Sequence, residues 1–436
     1  MTPQSTLTVL APIQTGRIGK MRALLASMNA GPGAFNPNNT MIPFAQFNSL
    51  HSARLAVLDD QTIGDPETFY GVERSDPPVY LAFLADFDGS YDAFISLLVQ
   101  NAAPGLRQIF SLCEGFSQDT DLRAWMIAHE NRPSAYYCNY VGRTVQQTRE
   151  EQQLRLALRT YLDRSPEVAN GSAREVHQSL QRYVQEETAQ GRLTLTPSAP
   201  TPLGWRIGHM FAWITLSLLI IGFVVILPLT IIPLGILALV VRSREASDPE
   251  FAPRPEHRLE TTLAALEDHD VTNQFTAMGS LKPGWLRALI AALVLRIINL
   301  ASRTLYNKGR LTRIHTIHFA RWVYMDKRTR VLFTSVYDGS LESYNEDFIN
   351  KTSIGLNLIF GNGVGYPRTA WLVGKGAKDE QKFKYFLRRH ELPTDVWYNA
   401  HAGLTAFDLL RNSVIRNGIE KTSLTEQEAR EWVALI

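Results

Sequence analysis

The 436-residue sequence has little cysteine and no excess of either charge. Cys113 and Cys138 cannot build a disulfide framework or a cysteine-rich metal site, and their scarcity fits a reducing compartment. Lysine and arginine number 44 against 42 acidic residues, whereas a general nucleic-acid-binding protein is normally much more basic. The first residues lack a basic region followed by an apolar run, so we expect no signal peptide. These absences argue against a secreted disulfide-rich protein and against a nucleic-acid-binding protein.

Motifs that identify a reaction are missing as well. The sequence contains neither the phosphate-binding pattern G-x-x-x-x-G-K-[ST] nor a G-x-G-x-x-G turn after a strand. The patterns H-E-x-x-H, C-x-x-C and G-x-S-x-G are also absent. The sequence therefore indicates its architecture more readily than its chemistry.

A long hydrophobic run covers residues 210–241, which are 32 residues without a charge. A single membrane span takes about 20 residues. Pro228 and Pro233 lie near the centre of the run, and proline kinks or breaks a helix. The run is therefore either one tilted, kinked span or a hairpin that enters and leaves the same face. The hairpin is favoured because both flanks are basic, with Arg206, Arg242 and Arg244. A buried helix of a soluble core is a weaker alternative, since such helices rarely run this long without a charge.

The sequences on the two sides of this run resemble each other in the same order. His51–Arg54 (HSAR) matches His318–Arg321 (HFAR), and Phe87–Ser90 matches Tyr337–Ser340. Further matches follow at offsets between 250 and 268. We interpret this as an internal duplication, with the membrane segment in the linker between the copies.

Each copy predicts the order βαββαβ followed by a helix, which is the ferredoxin-like order. The expected fold is α+β, with two repeats of the dimeric α/β-barrel type whose sheets pack face to face or side by side. The predicted boundaries are 1–165 for the first repeat, 166–204 for a helical linker, 205–242 for the membrane segment, 243–270 for a polar linker and 271–436 for the second repeat.

The first helix of the second copy is basic. Residues 283–313 contain no acidic residue and have Trp285 near their start. Their basic residues are Arg287, Arg296, Arg303, Lys308, Arg310 and Arg313. A basic amphipathic helix is typical of an anionic membrane surface. An ordinary helix packed on its sheet with a basic exposed face is equally compatible.

His51 and His318 are candidate metal or haem ligands or proton-transfer groups. Strand alternation predicts that His318 and Ala320 share a face while Arg321 points away. A hydrogen-bonded structural histidine is the simpler alternative.

Asp88 and Asp338 lie where a strand ends and a helix begins. A helix-capping role is favoured there over general acid or base catalysis. His401 replaces Tyr140 of the first copy, and such asymmetry between duplicates sometimes marks the copy that kept a function.

Residues 316–373 and 378–419 resemble a bacterial family of largely uncharacterised, membrane-anchored proteins. The resemblance implies the dimeric α/β-barrel fold, whose superfamily includes dye-decolourising peroxidases, chlorite dismutases and small monooxygenases. The peroxidases carry an aspartate within G-x-x-D-G beside haem. The corresponding stretches are 85–89 and 335–339, with Asp88 and Asp338 in place and without the first glycine.

Two functions are therefore expected. The first is a haem-dependent or cofactor-free oxidoreductase acting on an apolar small molecule, with His318 or His51 binding the cofactor. Its catalytic groups would be Asp338, Arg321 and His401. The second is a non-catalytic binding or scaffold protein at the lipid bilayer. Both place the repeats on the cytoplasmic side of the inner membrane, and both are compatible with a homo-oligomer. The enzyme hypothesis predicts an open pocket at His318 and Asp338, and the scaffold hypothesis predicts buried, hydrogen-bonded groups.

Overall fold

The computed structural model describes residues 1–73, 76–306, 309, 311 and 313–436 of a mixed α+β protein. Lys308 and Arg310 of the predicted basic helix lie outside the described residues. The strands are Gln4–Pro12 (β1), Asn29–Gly31 (β2), Ala34–Phe35 (β3), Leu50–Leu58 (β4), Tyr80–Asp88 (β5), Ala135–Cys138 (β6), Thr272–Ser280 (β7), Ile317–Met325 (β8), Arg330–Asp338 (β9), Thr369–Ala370 (β10), Gly374–Lys375 (β11) and Val396–Asn399 (β12).

The helices include one that is far longer than the rest. They are Ile18–Ala26 (α1), Asp65–Tyr70 (α2), Tyr91–Phe110 (α3), Leu122–Ala128 (α4), Val145–Arg164 (α5), Pro166–Ala169 (α6), Ala173–Ala189 (α7), Leu203–Ser247 (α8), His257–Ala264 (α9), Trp285–Thr304 (α10), Leu341–Phe360 (α11), Glu380–His390 (α12), Ala406–Ile419 (α13) and Glu426–Val433 (α14).

Two four-stranded antiparallel sheets hold the long strands. The first has the order β1-β5-β4-β12 and the second has the order β6-β8-β9-β7. Strand β12, from the second half of the chain, pairs with β4, and β6, from the first half, pairs with β8. The α+β class is confirmed. Each sheet nevertheless takes its fourth strand from the other half, which two self-contained repeats would not do, and the ferredoxin-like repeat stays a prediction.

The two halves use matching elements. Strands β1 and β5 pair over nine positions, as do β7 and β9. The central strands β4 and β8 each contain one register shift, between Leu50 and Ser52 and between Ile317 and Phe319. A 20-residue helix follows the third long strand in both halves.

The two sheets face each other. Arg54 on β4 donates to the carbonyl oxygens of Phe275 at 2.8 Å and Ser335 at 3.0 Å, which belong to the second sheet. At one end the intervening space is filled by a cluster of buried apolar side chains, among them Leu10, Leu58, Leu84, Met278, Val323, Met325 and Leu332. All nine residues of β4 are buried, because helices cover the other face of the sheet. The space between the sheets is thus a packed core.

A separate helical core forms from α5, α7, α13 and α14. It contains Leu158, Leu180, Ile415 and Trp432. The imidazole Nε2 of His177 on α7 lies 2.9 Å from the carbonyl oxygen of Gly418. All of α7 lies within the range 166–204, so this predicted linker is packed into the structure.

The predicted membrane segment is one continuous helix, so the favoured prediction of a hairpin made of two helices was wrong. Helix α8 has 45 residues, includes Pro228 and Pro233, and extends beyond the predicted bounds 205–242 at both ends. By length and composition, α8 and the 20-residue α10 are both apolar enough to cross a membrane. No residue between 213 and 240 is buried.

Candidate functional site between the two sheets

Two aspartate–histidine pairs lie at the end of the inter-sheet space that is opposite the apolar cluster. The Nε2 atom of His51 lies 2.9 Å from Oδ1 of Asp88, and Nε2 of His318 lies 2.6 Å from Oδ1 of Asp338. All four side chains are at most 7% exposed. The sequence prediction that His318 and Asp338 converge is therefore met, but in a closed and paired arrangement.

Both aspartates also cap helices. Oδ2 of Asp88 accepts the backbone N–H of Val145 at 2.8 Å, and Oδ2 of Asp338 accepts that of Ala406 at 2.7 Å. These residues begin α5 and α13, where a negative charge complements the helix dipole. The helices that directly follow the two aspartates are capped by Ser90 and Ser340 instead. The prediction that the two aspartates cap the helices directly after them was therefore wrong, and they cap helices distant in sequence instead.

The two histidines owe their orientation to β-bulges. A bulge adds an unpaired residue and changes where its side chain points. His318 lies in the register shift of β8 and lines a cavity with Phe319. Ala320 packs in the core on the helix side of the sheet. The prediction that His318 and Ala320 share a face was therefore wrong, because simple alternation ignores the inserted residue.

His401 extends the first pair into a chain of hydrogen bonds. Its Nε2 lies 2.9 Å from Nδ1 of His51, and its Nδ1 lies 3.3 Å from Oγ1 of Thr148. Burial, followed by the charges of His51, His318 and Arg149, lowers the pKa of His401 well below its usual value. The imidazole of His401 is therefore neutral at pH 7.

This series of hydrogen bonds has two arrangements in which every donor has an acceptor, and the two differ by one proton. With neutral His51, Thr148 donates to His401, His401 donates to His51, and His51 donates to Asp88. With protonated His51, the direction between the histidines reverses and the Thr148 hydroxyl donates to the carbonyl oxygen of Val145, 2.8 Å away. The contacts therefore form an unbroken series of hydrogen bonds from Asp88 through His51 and His401 to Thr148.

Arg321 does not join Asp338. Its guanidinium lies 2.5 Å from Oδ1 of Asp86 and donates to the carbonyl oxygen of Leu7 at 2.8 Å. Asp86 also accepts from Ser52 at 2.9 Å and from Tyr136 at 3.1 Å. Arg321 therefore links the sheets, and the prediction that it acts beside Asp338 finds no contact in the structure.

The cavity at the histidines is small. It has a volume of about 50 Å³ and is lined by residues that include His51, His318, His401, Cys138 and Thr148. This is room for a few water molecules, whereas cofactor sites usually measure about 300–1,000 Å³. Burial raises the pKa of Cys138, so its sulfur is a protonated thiol.

Haem does not fit this site. The macrocycle exceeds the cavity, and Nε2 of His318 and both ring nitrogens of His51 already contact partners. Among the residues that the structure describes, no group of three or more His, Cys, Asp or Glu side chains could hold a metal ion.

Apolar cavities occur elsewhere in the second half. Two neighbouring spaces of about 60 and 40 Å³ share Phe275, Trp322, Phe333 and Phe360 as walls. They lie between the second sheet and its covering helices, and Ala291 and Leu295 of α10 line the larger one. A larger cleft of about 710 Å³ has a mixed polar lining that includes Arg22, Asp59 and Glu256.

Comparisons of the chain with family models, curated proteins and solved structures found no match. The residues His51, His318 and His401 were predicted from the sequence and do come together. Thr148, Asp86 and Arg54 were not singled out. The repeated arginine of HSAR and HFAR was the available signal for Arg54.

Proposed function

We propose that the protein is a non-catalytic binding or scaffold protein attached to a lipid bilayer. The observation that carries this proposal is that the candidate catalytic groups are buried and paired within a filled inter-sheet space. The apolar side chains of α8, by contrast, are exposed along its length. A bilayer covers such a surface at a hydrophobic gain of roughly 25 cal/mol per Å².

Attachment to the cytoplasmic face of the inner membrane is part of the proposal. Arg206 and Arg244 flank the apolar part of α8 and are exposed. Positive residues beside membrane segments favour the cytoplasmic side.

Vesicle flotation of the full chain tests membrane attachment. We expect the protein to float with vesicles of phosphatidylcholine and phosphatidylglycerol. Ile221→Glu with Val225→Glu, at positions 58% and 68% exposed, should reduce the floated fraction at least fivefold. Leu156→Glu, at a 50% exposed position on α5, is the matched control and should float normally. Equal flotation of both variants would contradict attachment through α8.

Haem titration tests the non-catalytic part. We expect the broad Soret band of free haem to stay unchanged when the purified protein is added. A shifted, sharpened band with the wild type that is lost in His318→Ala would contradict the proposal and favour a haem enzyme.

A second candidate is a cofactor-free oxidoreductase, and the hydrogen-bonded chain from Asp88 to Thr148 is the observation that favours it. Such an enzyme would use His51 and His401 to carry a proton while dioxygen takes two electrons and two protons from an apolar quinol, giving a quinone and hydrogen peroxide. Dioxygen uptake by protein in quinol-loaded vesicles, abolished in His401→Phe, would support this candidate. No uptake above that of empty vesicles would rule out quinol oxidation.

A further inference from the structure

Both ends of α8 return to the same folded body. Near its start, Gly208 approaches the Arg303 guanidinium of α10, with 3.6 Å from an ideal Cβ position to Nη2. At its end, Asp248 binds Arg287 of α10 at 2.7 Å and Lys282 at 2.8 Å. These three side chains are at most 8% exposed, which makes this second attachment a buried ion cluster.

The two attachments are too close together for a straight helix. Arg287 and Arg303 are 16 positions apart, about 24 Å along α10. Extended arginine side chains of roughly 7 Å each, added to the contact distances, keep Gly208 and Asp248 within about 50 Å. A straight helix over the same 40 positions would measure about 60 Å. Helix α8 is therefore an arch.

The sequence explains where the arch bends. Pro228 and Pro233 each remove one main-chain hydrogen bond and push the preceding turn away. Between them, the Thr230 hydroxyl donates to the carbonyl oxygen of Ile226 at 3.1 Å, a contact that also bends helices. Two arms that meet near residue 230 rise at least about 15 Å above the line joining their ends, half the thickness of the hydrocarbon layer.

Helix α10 cannot cross a bilayer while it covers its sheet. Its Ala291 and Leu295 are buried, and it connects β7 to β8 of the same sheet. Its other side carries an exposed apolar row of Trp285, Leu289, Leu293 and Ile297, which are 53–76% exposed. The two attachment points of α8 lie beside the two ends of α10. The exposed apolar row therefore lies between these attachment points.

The exposed charges on α10 and beside the apolar part of α8 have one sign. Arg206 and Arg244 on α8 and Arg296 and Arg303 on α10 are exposed, and the sequence of α10 contains no acid. The acids Glu245 and Asp248 at the foot of the arch are buried and bonded within the body. An anionic headgroup layer complements this arrangement.

We infer that the protein is monotopic: residues 213–240 enter an anionic bilayer as an arch from one face, and both ends of α8 stay on that face. The row on α10 rests in the interfacial layer beneath the arch. This inference rests on the proposed membrane attachment and adds its topology.

Impermeant-maleimide labelling in sealed vesicles tests the topology. The native Cys113 and Cys138 are buried, so single cysteines can be read at exposed sites. Leu203→Cys and Ser247→Cys should react from the same side, at least tenfold faster than from the other. Thr230→Cys should react from neither side until detergent is added. Labelling of the two ends from opposite sides, or of residue 230 from the far side, overturns the inference.

Flotation separates this inference from the attachment itself. Leu293→Glu with Ile297→Glu on the α10 row should lower flotation severalfold on vesicles that contain phosphatidylglycerol, while Leu156→Glu should not. Unchanged flotation would show that the apolar row on α10 does not contact the membrane. A wild-type chain that fails to float at all would defeat the proposed attachment, whatever the labelling shows.

Discussion

One carboxylate and two guanidinium groups share the centre of the inter-sheet space. Asp86 pairs with Arg321, while Arg54 bonds to carbonyl oxygens and Thr276. In the second half, Val336 occupies the position on β9 that Asp86 occupies on β5. Burial, and next the charge of Arg321, lowers the pKa of Arg54 to about 9. The matching halves are therefore chemically unequal at their centre.

Removing Arg321 should leave a buried carboxylate without a counter-ion. We expect Arg321→Met to lower the free energy of unfolding by about 3–5 kcal/mol. Arg321→Met combined with Asp86→Val should recover most of that loss, since both charges are then absent. Urea unfolding of the single and double variants in detergent measures both values. A double variant no more stable than Arg321→Met would show that the ion pair is not the main contribution.

His401 should make stability depend on pH. Its pKa is lowered in the folded protein, so the unfolded chain binds the proton more readily and stability falls as pH drops below about 6.5. At pH 5.5 a still neutral His401 costs about 1.4 kcal/mol relative to pH 7.5.

Comparison with His401→Gln isolates this effect. Buried acids act in the opposite sense, because burial raises the pKa of Glu151 to about 7 and that of Asp395 to about 6. They are present in both proteins and cancel in the difference. Urea unfolding at pH 7.5, 6.5 and 5.5 should show the wild type losing about 1.4 kcal/mol more than the variant. Parallel losses would contradict a neutral buried His401.

Much of the histidine site could be predicted from the sequence, because His51 and His318 repeat within a matched motif and His401 breaks a match. Thr148 and Asp86 could not be predicted. Their roles depend on α5 and β5 meeting elements of the other half, and local patterns do not record such contacts.

At the scale of elements, the strands were predictable where one property dominates. The runs SARLAVL and VYLAFLADF predict β4 and β5 to within two residues. The bulges in β4 and β8 were missed, since a single inserted residue leaves no trace in a hydrophobic pattern. The exchange of β6 and β12 was missed because strand pairing between distant segments depends on the whole core.

The arch makes a distance prediction that needs no membrane. Spin labels at Ile207→Cys and Ser247→Cys, both at exposed positions 40 residues apart, should lie within about 50 Å in detergent. Pro228→Ala with Pro233→Ala restores two helical hydrogen bonds and should lengthen the distance towards about 60 Å or broaden it. Pulsed electron paramagnetic resonance measures the distribution. A wild-type distance near 60 Å would mean that helix α8 is straight in detergent and does not form an arch.

For the whole molecule, the strand exchange makes the two halves interdependent. Strand β6 is an edge of the second sheet and β12 is an edge of the first. The chain leading to β6 also covers β1 on its way, with the N–H of Leu10 bonded to the carbonyl of His129 at 3.0 Å. The segment before β12 covers β7 in the same way, because the N–H of Leu392 donates to the carbonyl oxygen of Thr276 at 2.8 Å. The two sheets thus form one folding unit.

Separating the halves should therefore abolish folding of each. The stretch 249–256 has no helix or strand, so a break there yields the fragments 1–252 and 253–436. Expressed alone, each fragment lacks one edge strand and exposes the inner face of its sheet, and we expect aggregation in detergent. Expressed together, they should co-purify with a single cooperative unfolding transition. Arg321→Met in the second fragment should weaken the association, because it removes a contact that joins the sheets. A fragment that unfolds cooperatively by itself would show that its sheet is complete without the exchanged strand, and the duplication would then consist of two independent domains.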